Sequence, residues 1–187
     1  MKTEQPLWGR GIMISPQHFQ QQAAYAAWSA ECIALMGLCH PWGVVEAAFE
    51  PDLLKLNRLQ ARTLRVRFQD GTLIDTGNAD ALPPARDLGR ESQETTVLLS
   101  LPLMRANGSN CLKPEEVAER PVRYRQRWHD VRNQFGDDDR QIAVLQPELS
   151  LRFSHQDNSD YLTCPVARLQ QDSQGAWRLD ETFLPPL

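Results

Sequence analysis

The sequence lacks a long apolar run. No stretch approaches the roughly 20 consecutive apolar residues of a membrane-spanning helix, and the N-terminus lacks the pattern of a secretory signal. We therefore expect a cytoplasmic protein that does not insert directly into a membrane. With 187 residues, of which 41% are hydrophobic and 24% charged, the chain is long enough for one domain with a proper core.

Residues and motifs that carry chemistry are also scarce. None of the four cysteines lies in the close pairs of a zinc site, and their number is too low for a disulfide framework. Cys32 and Cys39 share one face of a predicted helix beside His40, but buried, reduced cysteines explain this pattern better than a metal. No phosphate-binding glycine loop, H-E-x-x-H, G-x-S-x-G or C-x-x-C motif occurs. We expect no catalytic site, cofactor or metal.

The formal net charge of −4 argues against nonspecific binding to nucleic acid or anionic membranes. Arg123, Arg125 and Arg127 alternate with Tyr124 and Trp128 on a predicted strand, so one face is cationic and the aromatic residues lie on the other. A nucleic-acid site would place the aromatic residues among the arginines. A solvated sheet face and a docking face for an acidic protein both remain open.

The N-terminal stretch is unusually apolar for a chain terminus. Leu7 to Ile14 contains one charged residue and two glycines, Gly9 and Gly11, which suit positive φ or close approach to another surface. Ser15 and Pro16 then form a helix start, because serine is a good N-cap and proline suits the first helical position. We predict an N-terminal arm over residues 1–15, followed by a helix.

The predicted helix runs from about Pro16 to Leu38 and is apolar on most of its circumference. A single sheet face cannot cover such a helix. We expect it to cover one open side of the domain with a first stripe and to meet another subunit with a second. The first stripe comprises Phe19, Ala23, Ala26, Ala30, Ile33 and Ala34. The second, a candidate oligomer interface, comprises Tyr25, Trp28, Cys32 and Leu35.

The remainder of the chain has the period of β-strands. Residues Arg62 to Gln69 alternate strictly, and Asp70-Gly71 follows them as a two-residue hairpin signal before Thr72 to Asp75. Further predicted strands cover 53–59, 95–101, 122–128, 142–153 and 161–169, with a last hairpin near 172–179. Several short strands behind one helix predict a mainly β fold, a β-sandwich or barrel.

Several motifs along the sequence resemble those of a known family. Trp8, Gly11 and Pro16 to Gln22 resemble the N-terminal signature of the TssK family, the baseplate subunits of bacterial type VI secretion systems, although Arg10 departs from its pattern. The similarity continues through Trp42-Gly43, Asp70-Gly71 and Trp177 to Pro186. It implies a β-sandwich like the shoulder of phage receptor-binding proteins. It also implies that this sequence is the N-terminal shoulder domain (16–187) with its arm (1–15), and that a helical neck and C-terminal head lie outside it.

The resemblance implies a structural adaptor, not an enzyme. The full protein would be a homotrimer that binds the wedge proteins TssF and TssG and reaches the membrane complex only through its head. The baseplate would lie at the cytoplasmic side of the inner membrane. Combined with the apolar arm, this predicts a partner-binding surface comprising Leu7, Trp8, Gly11, Ile12, Met13, Ile14, Pro16, Gln17, His18 and Phe19.

A second hypothesis is a small hydrolase or carbohydrate-binding sandwich with a cleft formed by two long predicted loops, 76–94 and 104–120. Fold-level analogy is its only support. It requires a pocket lined by Asp75, Asp80 and His129, whereas a flat surface would count against it.

Overall fold

The computed structural model describes residues 3–89 and 93–186, most of which lie in strands and connecting loops. Two helices are present in this part of the chain, α1 (Pro16–Gly37) and α2 (Pro51–Leu54). The strands are β1 (Gly43–Phe49), β2 (Arg58–Leu59), β3 (Ala61–Arg67), β4 (Leu73–Asp75), β5 (Arg86–Asp87), β6 (Glu94–Pro102), β7 (Cys111–Leu112), β8 (Tyr124–Arg132), β9 (Asp139–Pro147), β10 (Ser150–Phe153), β11 (Tyr161–Gln171) and β12 (Trp177–Leu179).

Two antiparallel sheets form the body of the fold. One has the order β1-β3-β4 and the other β10-β6-β11-β12. Their apolar side chains form one buried cluster, in which Leu64, Val66 and Ile74 come from the first sheet and Leu99 and Leu169 from the second. The β-sandwich predicted from the sequence is therefore confirmed.

The β3–β4 hairpin shows how the alternating pattern is used. Leu64, Val66 and Phe68 are buried, as their spacing predicts. The turn itself differs from the expected two-residue Asp-Gly turn. The Phe68 amide donates to the Thr72 carbonyl at 2.8 Å, so the loop has three residues, and only Gly71, at φ +83°, has positive φ. A two-residue type I′ turn would require positive φ at Asp70 as well.

The strand predicted over Leu53–Leu59 is wrong. Pro51 instead begins the short helix α2, where its fixed φ fits the first helical position. Asn57 then takes a left-handed conformation, with φ of 56°, and turns the chain into the two-residue strand β2. Leu54 and Leu59 are buried by this path, which satisfies the same apolar pattern without a continuous strand.

Helix α1 has nearly the predicted bounds, but the prediction that it covers an open side of the sandwich is wrong. None of its residues is buried. Glu31 forms an ion pair with Arg67 of β3, and Arg67 also donates to the Pro41 carbonyl. An apolar stripe predicts that a face needs cover but does not specify which surface covers it. In the described structure most side chains of both stripes are exposed, and Tyr25, Cys32 and Ala34 are half-buried.

A long two-stranded ribbon, β8 and β9, leaves the sandwich, and we call these residues with their turn (124–147) the ribbon. Its strands pair antiparallel from Tyr124↔Pro147 to Arg132↔Asp139, and β7 joins only the base of β8. Most of its side chains are exposed, including Phe135 at the turn. An isolated hairpin is only marginally stable in water. The stability of the ribbon therefore depends on its attachment to the sandwich.

Arg123 makes that attachment, which corrects its expected place on a cationic face. The strand begins one residue later, and the Arg123 residue is only 2% exposed. Its guanidinium donates to Asp70 Oδ2 and Thr72 Oγ1, each at 2.6 Å, and to the Pro102 carbonyl at 3.1 Å. Arg123 thus ties the base of the ribbon to the β3–β4 turn and to the end of β6.

The cysteines follow the expectation only in part. Cys164 is buried, and burial raises the pKa of its thiol to about 11. Cys39 is exposed and lies beyond α1, which ends at Gly37, so it does not share a helix face with Cys32. Among residues 3–89 and 93–186, no cluster of three or more histidine, cysteine or acidic side chains could hold a metal.

Candidate docking surface

The N-terminus of α1 is held by a local cap. The Ser15 amide donates to His18 Nδ1 at 3.2 Å, and Ser15 Oγ lies 2.9 Å from the same nitrogen. Pro16 occupies the first turn, as predicted. His18 is half-buried, and its Nδ1 atom is engaged in this cap. A partner could therefore contact only the exposed part of its ring.

The arm folds back along this helix start. It turns at Arg10-Gly11, where Gly11 has φ of +86°, which confirms positive φ at one of the two predicted glycines. Gln21 Nε2 donates to the Glu4 carbonyl at 2.9 Å, and Trp8 Nε1 donates to Gln22 Oε1 at 3.2 Å. The side chains of Gln21 and Gln22 therefore hold the arm against the helix.

An aromatic cluster forms where the arm meets the helix. The Trp8 ring lies 5.9 Å from the His18 ring and 6.0 Å from the Phe19 ring, centroid to centroid. Trp8 remains 47% exposed. The ring is therefore oriented by its neighbours while much of its surface is free for contact.

The predicted partner-binding residues come together on this folded arm and helix start, and most of them face solvent. Met13 is 89% exposed, while Ile12 is half-buried and lies near Gly9. The exposed members are Leu7, Trp8, Gly11, Met13, Ile14, Pro16, Gln17 and Phe19. We call this set the arm surface. Contiguous apolar patches of this kind mark partner sites on monomeric proteins.

The predicted oligomer stripe is also accessible in the single chain. Tyr25 and Trp28 contact each other with ring centroids 5.5 Å apart, and Trp28 is 49% exposed. Cys32 is half-buried and Leu35 is exposed. The first stripe, which sequence reasoning assigned to the sandwich, is at least as open, with Ile33 64% exposed. Helix α1 therefore offers apolar surface on both sides.

The residues of the alternative active site are not arranged for catalysis. Asp80 Oδ2 accepts the Asp75 amide at 2.8 Å, and the Asp75 carboxylate accepts from Gly77 and Arg65, so both carboxylates hold a local turn and the neighbouring strand. His129 lies on the exposed ribbon, opposite Ile142. These contacts give no support to the hydrolase hypothesis.

No helix in the described part of the chain is long and apolar enough to cross a membrane. Large apolar side chains are exposed on the arm, on α1 and on the ribbon, and also elsewhere in the described chain, for example at Leu56, Val117 and Leu184.

Comparison with known proteins gives consistent matches. A family model described as "Bacterial Type VI secretion, VC_A0110, EvfL, ImpJ, VasE" matches residues 18–187. A curated relative, the type VI secretion system baseplate component TssK1 of Pseudomonas aeruginosa, is 27% identical over 184 residues, which are 97% of this chain and 41% of the relative. The chain therefore spans less than half the length of that relative.

Solved structures agree with these matches. The TssK-TssF-TssG baseplate subcomplex of a type VI secretion system, determined by cryo-electron microscopy, contains a chain that is 48% identical, with a TM-score of 0.95. That match covers 100% of this chain and 63% of the other. A chain of a type VI secretion baseplate complex is 47% identical, with a TM-score of 0.91, over 99% of this chain and 42% of the other.

Proposed function

This chain belongs to the bacterial type VI secretion family T6SS_VasE, and from that membership we propose that it is a structural module of a secretion baseplate. The resemblance to TssK inferred from the sequence is confirmed by relatives named as baseplate components. As part of a TssK-like subunit, the chain would act by binding other proteins and not by catalysis. It would work at the cytoplasmic side of the inner membrane.

The observation that carries this proposal is the arm surface. An exposed tryptophan, held by Gln22 and flanked by apolar side chains, has the composition of an interface hot spot. One similar chain is solved within a TssK-TssF-TssG baseplate subcomplex. We therefore propose that the arm surface docks on TssF–TssG wedge proteins, that residues 1–15 are a docking arm, and that 16–187 are the shoulder with its helix.

Replacing Trp8 by alanine tests the docking surface. We expect Trp8→Ala to weaken binding to the TssF–TssG pair from the same genome by about 2 kcal/mol, roughly 30-fold, as is typical for a tryptophan hot spot. Isothermal calorimetry would measure the loss. Trp128→Ala on the ribbon is the matched control, because Trp128 is 55% exposed and lies off the arm. Equal losses in both variants would reject the arm surface.

The second stripe of α1 provides a separate test of assembly. We propose that Tyr25, Trp28, Cys32 and Leu35 contact another copy in a homotrimer. Trp28→Glu in the full-length protein is then expected to lower the mass measured by light scattering toward that of a monomer, because a charge would be buried at the interface. The free energy of unfolding of the monomer should stay within about 0.5 kcal/mol, since Trp28 is exposed. An unfolded variant would contradict the proposal.

A further inference from the structure

The ribbon carries a cationic face that the arm surface does not explain. Sequence reasoning treated Arg123, Arg125 and Arg127 as one stripe, but the structure separates them. Arg123 is buried at the ribbon base. Arg125 pairs with Glu148 at 3.1 Å and donates to the carbonyls of Lys113, Pro114 and Glu116. The guanidinium groups of both arginines are therefore engaged in contacts within the chain.

Arg127 differs from them. Within the described residues, neither Arg127 nor Arg140 takes part in an ion pair, and both are exposed. The remaining ribbon arginine, Arg132, is paired with Asp137. Two exposed cations without partners thus lie on one projecting element of a chain whose net charge is −4.

The strand register places these two cations on one face. Residues directly opposite each other in an antiparallel pair share a face, and alternate residues of a strand repeat it. Arg127 is opposite Val144, His129 is opposite Ile142, and Val131 is opposite Arg140. We call these six residues the cationic face. Arginine and histidine alternate there with aliphatic side chains, of which Val131 and Ile142 are exposed and Val144 is half-buried.

We propose that the cationic face binds an extended, acidic segment of a partner protein. Charge complementarity identifies the acidic character, because Arg127 and Arg140 have no acidic partner among residues 3–89 and 93–186. The extended conformation follows from the sheet edge. Among the described residues β9 is the last strand of its sheet, so its outer edge can pair with an added strand. Alternate acidic side chains of such a strand would point toward the arginines.

A protein fits this face better than a nucleic acid. Single-stranded nucleic acids need aromatic side chains among the cations for base stacking. Here Trp128 lies opposite Ala143 on the other face, and the positions between the cations are aliphatic.

A fluorescent decapeptide of alternating glutamate and threonine tests this chemistry by fluorescence anisotropy. We expect saturable binding at about 50 mM salt that weakens at about 300 mM, because exposed charge pairs are screened. Arg127→Gln with Arg140→Gln should weaken binding about tenfold. Arg62→Gln with Arg178→Gln is the matched control, since it removes the same charge from exposed arginines on the sandwich, and it should bind like the parent.

Several results would overturn the proposal. If a glutamine-threonine peptide binds as tightly as the glutamate-threonine peptide, charge does not drive the binding. If a 15-nucleotide oligothymidine binds more tightly than the acidic peptide, the ligand is a nucleic acid. An unchanged affinity in the Arg127/Arg140 variant, or no binding of the acidic peptide, would reject this face. Deletion of the arm should leave peptide binding unchanged. The peptide test can therefore fail or succeed independently of the proposal that the arm surface docks on the wedge proteins.

Discussion

Replacing Arg123 by methionine is expected to lower the free energy of unfolding by about 3 kcal/mol. Breaking a buried ion pair by removing one partner costs about 3–5 kcal/mol, because the other charge is left uncompensated. The Asp70 side chain is about one-third exposed, so water can compensate part of this loss and the lower end applies. The Pro102 carbonyl and Thr72 hydroxyl would also lose a donor.

The effect should appear as a lower midpoint in urea unfolding with an unchanged slope, since the slope follows the surface exposed on unfolding. Arg127→Met is the matched control, because Arg127 has the same side chain on an exposed ribbon position. We expect the control to change the free energy of unfolding by less than about 0.5 kcal/mol. Equal midpoints for the two variants would show that the Arg123 contacts do not stabilise the fold.

Arg123 also illustrates what the sequence could and could not predict. Strict alternation predicted strands β3 and β8 because burial in a sheet repeats every second residue. The same alternation placed Arg123 on an exposed cationic face. The reason is that the residue just before a strand continues the alternating pattern of the strand itself. Its partners Asp70 and Thr72 are distant in sequence, so no local pattern reveals the contact.

The sequence predicted the composition of the candidate docking surface but not its conformation. The apolar arm residues and the cap at Ser15 were recognisable because they depend on local side-chain chemistry. The fold-back of the arm depends on Trp8 and Gln22, which are 14 residues apart and meet only after the Gly11 turn forms. Helix α1 was misplaced for a related reason. Its two apolar stripes indicate contact, but in the described part of the chain no surface buries any residue of the helix.

Deleting residues 1–14 is expected to abolish detectable co-purification with TssF and TssG while the sandwich stays folded. The deletion removes Leu7, Trp8 and Met13, the most apolar part of the arm surface, so the loss should exceed that of a single hot spot. None of the arm residues that the structure describes is buried or belongs to the sandwich core. The free energy of unfolding of the shortened chain should therefore differ from that of the parent by less than about 0.5 kcal/mol.

Circular dichroism and urea unfolding would establish that the shortened chain is folded before binding is measured. The deletion starts the chain at Ser15, so the cap between Ser15 and His18 can still form and α1 keeps its N-terminus. Undiminished co-purification would mean that the arm serves its own helix and that the wedge contacts lie elsewhere. Lost binding with a cooperative, parent-like unfolding curve would separate docking from stability, because the deletion removes most of the arm surface and no buried residue among those that the structure describes.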